Sequence, residues 1–230
     1  MNEILQNLDW SVLTDMLLSV IPALVCITLH ELGHGYTALL LGDDTAKRMG
    51  RLTLNPLRHI DVMGLVMMAL LRFGWAKPVP IDMRNFRRPK LGMAVTALAG
   101  PMTNVLIAVI TMFLYGAAYP FFIRGSVGTY LLRMIYLTAS LSVSLAIFNL
   151  IPIPPLDGSK ILFSVISDRA YGFLMRYERY GMILLAVILL TGALSSPLYR
   201  ASSACMDLLS HVANLGYRAA SLFLRGGAAS

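Results

Sequence analysis

Two histidines and a glutamate stand close together in an apolar part of the chain. His30-Glu31-Leu32-Gly33-His34 has the pattern H-E-x-x-H. Because residues four apart on a helix are separated by about 40° around its axis, both imidazoles can bind the same ion. Glu31 lies alongside, where it can accept a proton from an activated water and pass it to a leaving amine. Zinc fits this ligand chemistry best, so we expect one Zn2+ per chain.

The pattern is specific because residues of these types are rare in this chain. With 4 histidines and three glutamates in 230 residues, chance produces H-E-x-x-H in fewer than about one such chain in a thousand. Its position adds weight, since a charged group at mid-membrane costs about 2.5–3.5 kcal/mol on insertion scales and marks function. The alternative, polar residues that only pair with neighbouring helices, is less favoured.

A catalytic zinc usually has three protein ligands and an open fourth position, so one more donor is required. Asp157 is favoured because it follows residues 152–155, where three prolines exclude a regular helix. Irregular backbone at membrane depth is tolerated only where protein buries it or it lines a wet cavity, and Gly158 then lets the chain pass closely. His59 is the main rival. The remaining candidates are Asp61, Asp82, Glu178 and His211.

The composition places these residues in a membrane protein. The chain is 57% hydrophobic and 13% charged, with a mean hydropathy of +0.69, which differs from a soluble domain. We predict an all-α polytopic membrane protein of about five to six membrane helices or part-helices. One domain over residues 1–230 is expected, with a catalytic core over about 10–168 and a C-terminal span and tail over about 181–225.

Hydrophobic patterning locates the elements. A long helix over residues 10–41 carries H-E-x-x-H in its second half, with a kink expected at Pro22. The apolar piece 62–73 is too short to cross and lies between basic segments, so we expect a re-entrant element, a β-hairpin or a short tilted helix. The other expected elements are spans over 91–118 and 130–150 with an external loop over 119–129, a last span over 181–197, and an amphipathic helix over 201–225 near an interface.

The net charge of +7 orients the protein rather than indicating nucleic acid. Its Lys and Arg residues lie in short segments between apolar runs, as the positive-inside rule requires. Segments 42–58 and 72–90 are therefore expected in the cytoplasm. No nucleic-acid partner is predicted.

Five motifs, in order along about residues 21–160, resemble the site-2 protease family of intramembrane zinc metalloproteases. They are H-E-L-G-H at 30–34, N-P-L-R-H-I-D at 55–61, G-W-A-K-P-V-P at 74–80, A-G-P-M-T-N at 99–104 and N-L-I-P-I-P-P-L-D-G at 149–158. The resemblance implies that His30, His34 and Asp157 bind zinc and that Glu31 is the general base. It also implies that Asn149 helps to hold the substrate backbone or the developing oxyanion, with Asn104 acting nearby.

The same resemblance implies zinc-dependent hydrolysis of a peptide bond within or near a transmembrane segment. Membrane lipids and a transmembrane protein substrate are then the expected partners, while the oligomeric state is not determined. We expect an integral protein of the bacterial plasma membrane whose active site opens toward the cytoplasm. The chain resembles the minimal, stand-alone branch, without a peptide-binding or nucleotide-sensing domain.

Other functions stay open. A membrane metallopeptidase acting on non-transmembrane peptides would use a downstream Glu as third ligand, and Glu178 is the candidate. A non-catalytic membrane protein that has kept a zinc site is the other alternative. An iron-dependent desaturase is nearly excluded, because it needs many histidines and the chain has 4.

Overall fold

The computed structural model describes residues 10–64, 75–167 and 180–227, and the regular secondary structure in these ranges is helical apart from one isolated β-bridge. The helices are α1 (Trp10–Leu40), α2 (Thr45–Arg48), α3 (Pro89–Phe122), α4 (Ser126–Asn149), α5 (Asp157–Val165), α6 (Tyr180–Leu190) and α7 (Ser195–Gly227), with 3-10 turns at Pro56–Arg58 and Met83–Asn85. The predicted all-α class is confirmed.

Three of the described helices are long and apolar enough to cross a membrane. They are α3, α4 and the part of α1 from Leu17 to Leu40. Helices α6 and α7 form a pair bent by 83° and add a fourth crossing if the pair is one span. Because about 20 apolar residues are needed to cross the hydrocarbon layer as a helix, the chain is an integral membrane protein.

Helix α3 lies at the centre of the described fold, since it packs against α1, α4, α5 and α7. Many of its buried residues are small, which lets neighbouring helices approach closely in a membrane protein. These small residues are Gly92, Ala94, Ala97, Gly100, Ala108 and Gly116. By contacting both α1 and α5, this one helix brings the two ends of the predicted metal site to the same place.

Two predicted boundaries are wrong. The external loop expected over 119–129 is a short turn, because α3 continues through Pro120 to Phe122 and α4 begins at Ser126. Pro120 lies in the last turn of α3, where the loss of one amide donor interrupts little of the helix. The last span expected over 181–197 ends at Leu190, and Pro197 belongs to the first turn of α7, where amides have no partner within the helix.

Two other predicted elements are partly described. The amphipathic helix expected over 201–225 lies within α7, and its position near an interface stays a prediction. Most of the short apolar piece over 62–73 falls outside the described residues. Its flanks meet, because Ile60 and Ala76 form an antiparallel bridge and the Lys77 amide donates to the His59 carbonyl at 2.9 Å. The two flanks of the piece therefore lie side by side, while the form of the piece itself stays a prediction.

Candidate metal centre

Three side chains from distant parts of the chain meet between α1, α3 and α5. His30 Nε2 and His34 Nε2 each lie 3.1 Å from Asp157 Oδ2 and 3.0 Å from each other. Ligand atoms about 2.1 Å from a tetrahedral zinc are about 3.4 Å apart. The triangle of donor atoms is thus slightly tighter than a zinc site and needs only a small expansion to hold the ion.

The outer nitrogens of both imidazoles face hydrogen-bonding groups. His34 Nδ1 lies 2.7 Å from the Thr96 carbonyl oxygen, so it must carry the proton and leave Nε2 free to bind a metal. His30 Nδ1 lies 3.2 Å from the Asn104 amide nitrogen, while Asn104 Oδ1 is buried without a partner. Rotating the side-chain amide of Asn104 by half a turn exchanges its nitrogen and oxygen. Oδ1 then accepts the proton on His30 Nδ1. The donor set therefore fits zinc.

Asp157 is the first residue of α5, directly after the proline-rich turn. Gly158 makes this position possible, because a Cβ there would overlap the Leu150 carbonyl at the end of α4. The two carboxylate oxygens face different partners, since Oδ2 faces the histidines and Oδ1 lies 3.7 Å from Lys160 Nζ. A negative charge in the first turn also interacts favourably with the helix dipole.

Gly100 explains part of the A-G-P-M-T-N motif. A Cβ at this position of α3 would overlap the imidazole rings of both His34 and His30. Asn104 follows one turn later on the same helix, in contact with His30. The motif therefore supplies the space for the two rings and the partner for one of them.

Glu31 contacts the segment that precedes α3. Its Oε2 accepts a hydrogen bond from the Val79 amide at 2.7 Å. Glu31, His30, His34 and Asp157 are between 6% and 9% exposed. A buried carboxylate next to a buried set of metal ligands is the arrangement in which a general base and a Lewis acid can act on one water.

Sequence comparisons agree with this chemistry. The chain is 38% identical over 174 residues to the protein YwhC of Bacillus subtilis, covering 75% of this chain and 80% of that protein. It is 29% identical over 180 residues to Rip2 of Mycolicibacterium smegmatis, covering 75% and 66%. Both are named "Putative zinc metalloprotease", and the model of peptidase family M50 matches residues 121–192. The chain belongs to this family, the site-2 proteases.

This site-2 protease is thus a zinc metalloprotease. A more distant relative, "Zinc metalloprotease MJ0392" of Methanocaldococcus jannaschii, is 27% identical over 192 residues, which are 82% of this chain and 45% of that protein. No solved structure matches the chain. The stretch that matches the family model includes Asp157 but not the H-E-x-x-H segment, so the histidines rest on the geometry above and on their motif.

The rival ligands of the protease lie elsewhere. His59 is buried in the loop after α2, where its Nε2 donates to the Thr53 carbonyl at 2.9 Å. Asp61 accepts from the Gly64 amide, Asp82 pairs with Arg84, and Glu178 falls outside the described residues. Among those described, His30, His34 and Asp157 are the one group of His, Cys, Asp and Glu close enough to share an ion.

The two asparagines differ in their surroundings. Asn104 is fully buried beside His30, so in this structure its contact is with a metal-site histidine. Asn149 is the last residue of α4, and its amide donates to the Leu145 carbonyl one turn earlier at 3.0 Å. A contact between Asn149 and substrate stays a prediction.

Sequence reasoning missed several residues that support the site. Thr96 acts through its backbone carbonyl, and Gly100 acts through its lack of a side chain. Neither role leaves a signal in the sequence beyond the residue type. Asp43 is fully buried and accepts from the Asp82 amide and the Asn85 side chain, both at 2.7 Å. It joins the loop after α1 to the segment before α3. Its one sequence signal is the Asp-x-Thr spacing of a local turn.

Burial raises the pKa of Asp43, but hydrogen bonds from Thr45, Asn85 and Asp82 outweigh it and hold the pKa below its ordinary value. Asp43 is therefore ionised at neutral pH. A charged acceptor makes stronger hydrogen bonds than a neutral one, so this carboxylate is a firm link between the two loops.

Proposed function

We propose that this site-2 protease hydrolyses a peptide bond within or near a transmembrane segment of a membrane-protein substrate. The observation that carries the proposal is the depth of the site along two apolar helices. His34 and His30 lie six and ten residues before the end of α1 at Leu40, or about 9 and 15 Å along the helix. Thr96 and Gly100 lie at similar distances from the start of α3. The site is therefore below the helix ends, at a depth that a membrane-embedded chain segment can reach.

His30, His34 and Asp157 hold the zinc in this proposal, and Glu31 is the general base. When bound, zinc supplies a Lewis acid that polarises a peptide carbonyl and makes water more acidic. Glu31 removes the proton of the attacking water and delivers it to the leaving nitrogen. Asn104 orients His30, because it faces the ring nitrogen opposite the ligand atom. Asn149, just ahead of the proline-rich turn, contacts the substrate backbone.

The substrate must be locally unwound. Amides of a transmembrane helix are already paired within that helix, and the ligands and Glu31 are buried. An extended segment can therefore present a peptide bond to them more readily than an intact helix can. Sequences that unwind readily, with Gly or Pro near the scissile bond, are therefore preferred.

The active site opens toward the cytoplasm of a bacterial cell in this proposal. The loops at the end of α1 and the start of α3 carry exposed basic side chains, which is typical of cytoplasmic loops. These side chains are Lys47, Arg48, Arg58, Arg84, Arg87 and Arg88. In this proposal the C-terminal part belongs to the same membrane domain, which the packing of α7 against α3 and α4 supports.

The Glu31→Gln variant tests the chemistry in proteoliposomes. Glutamine has the size of glutamate but accepts no proton. Because residue 31 is not a metal ligand in this proposal, we expect zinc content to stay at one ion per chain. Cleavage should fall by about 10²–10⁴-fold, the usual contribution of a general base. Undiminished cleavage by this variant would refute the role of Glu31.

A pair of matched substrates tests where cleavage occurs. One carries the scissile sequence inside a transmembrane segment, and the other carries the same sequence in a soluble peptide. We expect cleavage of the membrane form and little of the soluble one. Equal or faster cleavage of the soluble peptide would favour the alternative, a membrane metallopeptidase that acts on non-transmembrane peptides. Binding of zinc without cleavage of either would favour a non-catalytic zinc protein.

A further inference from the structure

The segment from Trp75 to Asp82, which we term the strap, passes beside Glu31 and is anchored on both sides of it. On one side, Arg51 donates to the Lys77 carbonyl at 2.9 Å, and the Lys77 amide donates to the His59 carbonyl. On the other side, the Asp82 amide donates to Asp43 at 2.7 Å. The strap is therefore held on both sides of Val79 by the loops that follow α1 and α2.

Val79 lies between the two anchors and is itself buried, with 5% exposure. Its side chain lies against Gly35, one turn after Glu31 on α1. The residues on either side, Pro78 and Pro80, have no backbone N–H. Val79 therefore carries the one backbone amide donor within residues 78–80. That donor is 2.7 Å from Glu31 Oε2.

We propose that the Val79 amide is a positioning group for the general base. It holds Oε2 of Glu31, so that the carboxylate keeps one orientation and its other oxygen stays available to the water. The two prolines fix the backbone and remove competing donors, which explains the spacing Lys-Pro-Val-Pro. The inference rests on the proposed role of Glu31, and it adds to that role a group from a different part of the chain.

Charge and burial support this reading over simple packing. A buried carboxylate without a donor is costly, and a hydrogen bond to a charged group is stronger than one between neutral groups. A freely rotating Glu31 would also spend much of its time in unproductive rotamers. Arg51, which is 8% exposed, acts one step further away, because it fixes the carbonyl two residues before Val79.

Replacing Val79 with the α-hydroxy acid analogue of valine tests the proposal directly. The substitution turns the Pro78–Val79 amide into an ester and removes the N–H without changing the side chain. We expect kcat to fall about 10- to 100-fold, with KM within about twofold and zinc content unchanged. A merely structural contact would instead lower thermal stability and leave kcat of the folded protein unchanged.

The same ester at Ile81 is the matched control, since the Ile81 amide makes no hydrogen bond among the described residues. We expect its kcat within about twofold of the wild type. Val79→Ala keeps the amide and loses side-chain packing, so its loss of kcat should be smaller than that of the Val79 ester. Equal losses in Val79→Ala and in the ester would overturn the inference, because packing would then account for both.

Combining the ester with Glu31→Gln separates this inference from the proposed function. If Glu31 is the base and Val79 positions it, the Val79 ester causes no further loss of kcat in the Glu31→Gln background. If Glu31→Gln is inactive while the ester alone is fully active, the positioning role fails and the general base stands. If Glu31→Gln is fully active, the general base itself fails, whatever the ester does.

Discussion

His34 and His211 show how differently two histidines on membrane-packed helices can be placed. His34 is 6% exposed, and its partners are the Thr96 carbonyl 62 residues away and Asp157 on α5. His211 is exposed on α7, and its Nδ1 contacts carbonyls of its own helix at 3.3 Å. Polarity in an apolar chain therefore does not define a site by itself. Burial with partners from several helices does.

The metal centre and α7 also use their helix faces differently. In the metal centre, polar side chains point into the contact between α1, α3 and α5. On α7, small residues face α3, since Gly216 lies against the backbone of Phe113 and Ala213 against Gly116, while Asp207 is exposed. The metal centre should therefore be sensitive to substitution of its polar residues, and α7 should be sensitive mainly on its small-residue face.

The largest effect is expected from Asp157→Ala. Removing one of three ligands should reduce zinc from about one ion per chain to nearly none, as measured by elemental analysis of the purified protein. His59→Ala is the control, because this residue is equally buried but pairs only with the loop, and it should keep its zinc. The comparison breaks if His59→Ala loses the metal and Asp157→Ala does not.

Asn104→Leu should have an intermediate effect. The substitution removes the partner of His30 Nδ1 but leaves all three ligands, so we expect zinc affinity to fall about 10- to 100-fold. Competition with a chelator of known affinity measures this change. Asn104→Asp, which restores an oxygen acceptor, should recover part of the loss. An Asn104→Leu protein with wild-type affinity would show that the contact with His30 has no influence on the metal.

Asp43→Asn should destabilise the protein by about 1–3 kcal/mol at neutral pH, the usual cost of losing hydrogen bonds to a charged group. Because the folded pKa of Asp43 is lowered, its stabilisation is present above the unfolded pKa and is lost as pH falls through the folded pKa. Thermal unfolding of both proteins between pH 7 and pH 3 should therefore show a difference that shrinks toward low pH. A difference that stays constant would contradict the ionised state of Asp43.

His211→Ala should have the smallest effect. Because this side chain is exposed and contacts only its own helix, we expect zinc content to stay unchanged and cleavage to stay within about twofold of wild type. Loss of zinc or cleavage in this variant would mean that α7 contributes to the site, and the contrast between the two histidines would no longer hold.

Local patterns in the sequence determined much of this protein. Helical periodicity and apolar length predict α1, α3 and α4 to within a few residues, because lipid requires every backbone group to pair within its own segment. The same periodicity places His30 and His34 on one face of α1, since that spacing depends on helix geometry alone. The predicted boundaries near residues 120 and 190 were wrong, because α3 continues through Pro120 to Phe122 and α6 ends at Leu190, before Pro197. A proline is tolerated in the first or last turn of a helix, so it does not fix a boundary by itself.

Contacts between distant segments were decided only by the tertiary structure. Sequence alone left Asp157 and His59 as rivals for the third position, and the packing of α3 against α1 and α5 brings Asp157 to the histidines from 127 residues away. The same packing selects Thr96, Gly100 and Asn104 as neighbours of the rings. Periodicity reports which way a side chain faces around its own helix, but it carries no information about which other helix will lie opposite, because that depends on how the surfaces of whole helices fit together.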